Sequence, residues 1–345
     1  MVVKNRMTIK DVAKAAEVSV ATVSYVINGL DNMVSEDTKN RVLKVIDDLG
    51  YVPNIAARSL VKNESRTIGI VMPSKGHYKQ LILRENPFYL EFIGGIEDEV
   101  LDHGFSTALL GVEGEKECRA ILNSQNYAGF ITFDFINKEV FKLLTQTGKP
   151  VVVIDMEVLQ DAENVSYLNV DNERGSFIAV EYLVNKGHRN IGCYTFGLGS
   201  QVARERLFGF KKAYTDCGLE FDEERTVFID DMDAVVKKVV DKELSAVFCS
   251  SDLMAMNLLR ELYKVGVRVP EDASIIGFDD IAYCKFLIPA LTTIKQDIFK
   301  KGAKAVEIIL NNIDASKKNI KKYIMPVELI ERESVREMTH HNRNC

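Results

Sequence analysis

Between Ser19 and Asn28 the chain reads Ser-Val-Ala-Thr-Val-Ser-Tyr-Val-Ile-Asn, a mixture of small apolar side chains and hydroxyls. At helical spacing Val23, Val26 and Ile27 share one face, which leaves Val20, Ala21, Ser24 and Tyr25 pointing outward. Such a face carries only hydroxyls as its polar groups. Its small, uncharged surface suits close approach to the edges of base pairs in the DNA major groove, the task of a helix-turn-helix reader. Ser19 can cap this helix. A preceding helix is expected from Thr8, with Asp11 three residues on as a capping-box partner and Ile9, Val12, Ala13 and Ala16 as its apolar stripe. A third follows Ser35, with Val42, Val45, Ile46 and Leu49 as stripe and Gly50 as a left-handed stop. A generic three-helix cap would bury the same stripes.

The other places where chemistry could reside are sparse. No strand-following G-x-G-x-x-G, no G-x-x-x-x-G-K-[ST] and no nucleophile elbow is present, so an oxidoreductase or transferase built on an α/β pattern is the weakest reading and no cofactor is expected. Gly197-x-Gly199-Ser200 reads as a strand-to-helix turn. Cys118, Cys193, Cys217, Cys249, Cys284 and Cys345 show no C-x-x-C spacing and several lie in apolar runs, which predicts buried free thiols rather than disulfides or a metal. His340-His341 sits on a polar tail without a further ligand nearby. No secretory pattern precedes Met7 and no apolar run approaches membrane-spanning length, so a cytoplasmic location is expected.

A chain of 345 residues is too long for the three helices alone and suits two or three domains. Residues 1–66 hold ten Lys and Arg against eight Asp and Glu, a balance of +2, and the formal charge of −6 then leaves −8 on the remainder. A mildly basic head on an acidic body confines nucleic-acid contact to one end. After Gly50, Pro53 can open a helix of about two turns, too short to be stable alone, and Lys62–Arg66 reads as a linker. From Thr67 short branched runs alternate with amphipathic helices. Strands are predicted at 68–72, 106–110, 129–133, 151–154, 191–196, 246–249 and 274–278. Helices are predicted near 88–103, 115–123, 137–147, 173–187, 203–217, 231–241, 252–265 and 297–313. This is the pattern of parallel sheets covered on both faces, and some 270 residues of it predict two α/β lobes with a ligand site between them.

The head and hinge contain Ile9-x-Asp-Val-Ala-x-x-Ala16, Val18-Ser-x-x-Thr-Val-Ser24, Val26-Ile-Asn-Gly29 and Gly50-Tyr-x-Pro-Asn-x-x-Ala-Arg-Ser-Leu60. Farther on stand Asn86-Pro-Phe88, Val170-Asp-Asn-x-x-Gly175, Gly187-His-Arg-x-Ile191, Ser251-Asp-x-Met-Ala255, Val267-x-Val-Pro270, Ile276-Gly-Phe-Asp279 and Pro289-Ala-Leu-Thr-Thr-Ile294. In this order these motifs resemble the lac repressor (LacI/GalR) family of bacterial transcription regulators, over Thr8 to about Ser334. The resemblance implies a homodimer with an all-α helix-turn-helix head (1–50), a hinge helix and linker (51–65) and a two-lobed α/β core (66–336) similar to periplasmic sugar-binding proteins. A polar tail (337–345) follows. Three crossings between lobes would divide the core into about 66–169 with 299–322, and about 170–298 with 323–336.

The same resemblance implies that Val20, Ala21 and Tyr25 read bases and that Ser19, Thr22, Ser24 and Asn28 hold phosphates. Ala57 and Leu60 would enter the minor groove from the hinge, Leu60 as a wedge that kinks the operator. Tyr25 replaces the arginine common in the family, which points to a different half-site, and Glu17 stands where the turn often has glycine. The tail lacks a heptad run, so a dimer is expected rather than a tetramer. The implied effector residues are Phe88, Tyr89, Asp155, Arg206, Phe248, Ser251 and Asp279, a set of rings, carboxylates and one arginine suited to a polyhydroxylated ligand such as a sugar. The purine-binding branch fits less well, since it carries a further arginine near Ser200 and an aromatic near Met156. A phosphorylated protein corepressor in place of a sugar, or a solute-binding receptor, are the competing readings. The head argues against the receptor.

Overall fold

The computed structural model describes residues 7–27, 31–51, 65–74, 86–133, 136–156, 162–228, 230–313 and 321–338. Asn28, Ala57, Leu60 and the hinge helix expected after Pro53 lie outside the described residues. The chain divides into two compact units, residues 1–65 and 66–345.

In the first unit three helices, α1 (Ile9–Ala15), α2 (Val20–Ile27) and α3 (Glu36–Asp48), close on a small core of Val12, Ala13, Ala16, Val23, Val26, Val42 and Tyr51. Each start is built by its cap. The Thr8 amide and hydroxyl both donate to the Asp11 carboxylate, at 2.8 and 2.7 Å, and these bonds hold Asp11 below its ordinary pKa. Ser19 Oγ accepts from the Thr22 amide at 3.0 Å, and Ser35 Oγ accepts from the Thr38 amide. Glu17 takes φ +54 in the turn between α1 and α2, as its place predicts, and Gly50 ends α3 at φ +57.

The second unit holds two six-stranded sheets. The first contains β1 (Thr67–Met72), β2 (Ser106–Gly111), β3 (Gly129–Phe133), β4 (Val151–Ile154), β5 (Val165–Val170) and β11 (Lys321–Met325), in the order β11-β5-β4-β3-β1-β2 and all parallel. The second contains β6 (Ile191–Thr195), β7 (Thr226–Phe228), β8 (Ala246–Cys249), β9 (Ser274–Asp279), β10 (Thr292–Gln296) and β12 (Val327–Ile330), in the order β12-β10-β9-β8-β6-β7. Only β12 runs antiparallel, against β10. Parallel strands need helical crossovers, and these cover the sheets. The helices are α4 (Pro87–Asp102), α5 (Glu115–Ser124), α6 (Lys138–Gln146), α7 (Asn172–Asn185), α8 (Gln201–Asp216), α9 (Met232–Val240), α10 (Asp252–Lys264) and α11 (Ile298–Ile313).

The chain passes between sheets after β5, after β10 and between β11 and β12. The third crossing therefore falls at Pro326, not at 322–323 as expected. Tyr323, Ile324 and Met325 pair with Leu168, Asn169 and Val170 and belong to the first sheet. Two helix pairs pack with backbones touching. A Cβ on Gly302 of α11 would fall on the Phe92 carbonyl of α4, and one on Gly209 of α8 would fall on the Glu173 carbonyl of α7. Among the described residues no helix is long and apolar enough to cross a membrane. Among the described residues five cysteines are free, and all but Cys217 are buried.

Candidate DNA-binding face and interlobe cleft

On α2, Val20 and Ala21 are exposed while Thr22, Ser24 and Tyr25 are half-buried beside the fully packed Val23 and Val26. Ser19 and Thr22 share a hydroxyl–hydroxyl hydrogen bond of 2.9 Å, so both hydroxyls are ordered by capping. The face carries no charge of its own.

The second unit brings most of the expected effector residues to the carboxyl ends of its strands. Asn86 caps α4 by accepting from the Phe88 amide at 3.1 Å, and Pro87 fits the first helical position. This start presents Phe88, which meets Tyr89 edge-on at 5.2 Å between centroids; Tyr89 in turn meets Phe133 at 5.3 Å. Asp155 directly follows β4, with φ +58, and Asp279 ends β9, with φ +127. Neither is glycine, so the backbone at both carboxylates is strained.

Arg206 on α8 is 4% exposed and engaged on every side. Its Nε donates to Asn172 Oδ1 at 2.8 Å, and Nη1 donates to the Ser250 carbonyl at 2.5 Å. The guanidinium lies over the Phe278 ring, 3.5 Å from its centroid, and approaches Asp279 Oδ1 at 3.4 and 3.5 Å. Gln296 Nε2 donates to the same Oδ1 at the shorter distance of 2.6 Å. Burial and the nearby Asp252 charge push Asp279 up to about 7, against the lowering pull of Arg206, Gln296 and Lys301. Desolvation likewise lowers Arg206, offset by Asp279, Asp155 and Asp252.

Below this pair Asp252 is buried and raised by that burial. It accepts from Thr293 Oγ1 at 2.5 Å, the Ile281 amide at 2.9 Å and Cys284 Sγ at 3.1 Å. These bonds fix the segment after β9. Ser251 caps α10 by accepting from the Met254 amide at 3.3 Å, beside the Ser250 carbonyl that Arg206 uses.

Phe248 is not part of this assembly. It is fully buried among Val170, Ile276, Phe278 and Phe210, stacked on the Phe210 ring at 6.0 Å. Successive strand residues face opposite ways, so Phe248 enters the layer beneath α7 and α8 while Val247 and Cys249 face the other side. Lys301, Gln296 and Asn172 are the polar residues that sequence reading missed. For Lys301 the signal was a polar side chain inside an apolar stripe, since it lies between Ile298 and Ala305, all three buried on α11.

Residues 8–54 match the model of bacterial regulatory proteins of the lacI family, and residues 180–335 match a periplasmic binding protein-like domain. The HTH-type transcriptional repressor PurR of Aliivibrio fischeri is 33% identical over 342 residues, which span 95% of this chain and 98% of that protein. The chain belongs to the LacI family. Among solved structures, the lac repressor dimer bound to operator and the anti-inducer ONPF shares 26% identity and a TM-score of 0.77, covering 96% of this chain and 100% of that one. The transcriptional regulator CelR in complex with cellobiose shares 28% identity and a TM-score of 0.69, covering 95% and 100%. This LacI-family chain is thus a DNA-binding transcriptional regulator with a ligand-binding core.

Proposed function

We propose that the chain works as a cytoplasmic homodimeric repressor whose heads read an inverted-repeat operator and whose interlobe cleft takes a sugar or sugar derivative. The observation that carries the effector reading is the linkage of Asp155, through Lys301 and Gln296, to the Asp279–Arg206 pair, with the Phe88 ring beside Lys301 and Tyr89 edge-on to Phe88. Carboxylates and a guanidinium hydrogen-bond vicinal hydroxyls, and ring faces stack on sugar C–H groups. Every described hydrogen bond to Asp279 lands on Oδ1, which leaves Oδ2 as an acceptor for a ligand hydroxyl.

In this reading Val20, Ala21 and Tyr25 read base edges, with Val20 and Ala21 against thymine methyls and the Tyr25 hydroxyl as a single polar contact. Ser19, Thr22, Ser24 and Asn28 hold phosphates, and Ala57 and Leu60 serve the hinge. Dimerisation is supported by the segment around the 3-10 turn Cys284–Phe286, where Tyr283, Phe286 and Ile288 are 52%, 71% and 99% exposed. Three large apolar side chains in six residues are what a subunit interface covers.

Selection of binding sites from random DNA tests the head: an inverted repeat is expected, and enrichment of a single asymmetric site overturns the dimeric reading. Thermal-shift measurements against a panel of sugars and nucleobases test the cleft, with stabilisation by a sugar expected and stabilisation by nucleobases alone contradicting it.

A further inference from the structure

The two carboxylates of the cleft occupy matching places. Asp155 follows a strand in the interior of the first sheet and Asp279 ends one in the interior of the second, both at positive φ. A cation meets each of them, carried by a helix of a glycine-packed pair: Arg206 from α8 for Asp279, Lys301 from α11 for Asp155.

Lys301 is wholly buried, whereas the Asp155 side chain keeps 18% exposure. A ligand can therefore reach the carboxylate and not the ammonium. Lys301 Nζ donates to Asp155 Oδ1 and Oδ2 at 2.6 and 2.8 Å and to Gln296 Oε1 at 3.1 Å, and lies 5.5 Å from the Phe88 ring centroid. Gln296 belongs to the second sheet and its amide nitrogen holds Asp279. A continuous polar chain results, Asp155–Lys301–Gln296–Asp279–Arg206, running from one lobe to the other beside the crossing after β10. A methionine of similar length would fill the place on α11 without taking a charge out of water. The work of the ammonium thus lies in its partners, not in packing.

We propose that Lys301 is a positioning residue that sets Asp155 at the cleft and, through Gln296, locks it to the Asp279–Arg206 pair of the other lobe. This rests on the effector reading above and deepens it: the site's two lobes are joined by a charge that no ligand touches. Removing the lysine alone leaves a partly buried carboxylate unpaired and lowers the melting temperature, so the informative form is Lys301→Met combined with Asp155→Asn, a neutral pair that recovers the fold.

The test is hydrogen exchange on the ligand-free full chain, wild type against the double variant. A positioning role predicts about tenfold faster exchange or more at 277–282 and 204–208 in the second lobe, in addition to 153–156 and 298–303 in the first. Exchange altered only in the first lobe overturns the proposal, since a purely local role would do no more. Melting temperatures of both forms with cellobiose and with glucose are read in parallel. At least tenfold loss of affinity in the variant is expected from Asp155→Asn alone and tests the effector reading, while exchange at 277–282 and 204–208 tests Lys301. A wild-type chain that responds to neither sugar rejects these effectors and leaves the ligand-free exchange result to decide the role of Lys301.

Discussion

Arg206 and Asp279 form a pair whose charges are both costly to bury, and their environments make distinct outcomes measurable. Asp279 titrates near 7 in the fold against about 3.9 unfolded, so the folded state binds more protons between these values. Stability contributed by this group is therefore lost as pH rises from about 4 to 7 and is constant above. Asp252 is raised as well and adds in the same direction. Asp279→Asn is expected to flatten, without abolishing, the decline in urea-unfolding free energy over that window; an unchanged slope would show that Asp279 ionises normally. Arg206→Ala leaves Asn172, the Ser250 carbonyl and Asp279 short of a donor and is expected to remove the response to the effector while the isolated head remains folded. At this scale the motifs named Asp155, Arg206 and Asp279, and the fold sets both carboxylates at strand ends and buries Arg206 against Asp279. The sequence was not legible at Lys301 and Gln296, because a lysine on a helix reads as a solvated side chain until the partner that pays for its burial is known. Phe248 shows the same limit from the other side: nothing in a fully apolar strand says which face its ring takes, and the fold buries it beneath α7 and α8.

Elements were legible in proportion to their apolar patterning. The helices of the body fall within about two residues of their predicted bounds, because long amphipathic stripes and caps such as Asn86, Asn137 and Ser251 mark them. Strands β5, β7, β10, β11 and β12 escaped notice. Val165–Val170 contains Ser, Tyr and Asn, Thr292–Gln296 is mostly polar, and Thr226–Phe228 is three residues long, so none forms a branched apolar run. Glu17 and Gly302 show what backbone demands a residue type alone conveys. Glu17 holds φ +54 with a Cβ, and Glu17→Gly is expected to stabilise the head by about 0.5–1 kcal/mol, measured by thermal unfolding of the full chain monitored at residues of α1–α3. Gly302→Ala has the opposite sign: its Cβ would land on the Phe92 carbonyl, forcing α4 and α11 apart at a cost of about 1–3 kcal/mol by urea unfolding. An alanine there without loss of stability would mean that the two helices slide freely.

At the scale of the whole molecule, the resemblance made both the α-helical head and the two-sheet core legible, while the third crossing was misplaced because β11 and β12 are separated by Pro326 alone. Regulation requires that cleft and operator site be coupled, and coupling is reciprocal: whatever factor the effector applies to operator affinity, the operator applies to effector affinity, typically about 5–150-fold. Titrating the sugar that stabilises the protein into the free chain and into its operator complex should therefore give two dissociation constants differing by that factor. Weaker binding to the complex identifies an inducer, tighter binding a corepressor, and the change in operator affinity measured with saturating sugar must agree in size. A dimer interface carries the coupling in this reading, so Ile288→Asp, placed on a side chain 99% exposed in the single chain, should produce monomers by sedimentation and lower affinity for the inverted repeat. Such monomers should still bind sugar, because Asp155, Arg206, Asp279 and the chain through Lys301 all lie within one subunit. Equal sugar affinity with and without operator in the wild type would mean that the cleft, whatever it binds, does not govern DNA.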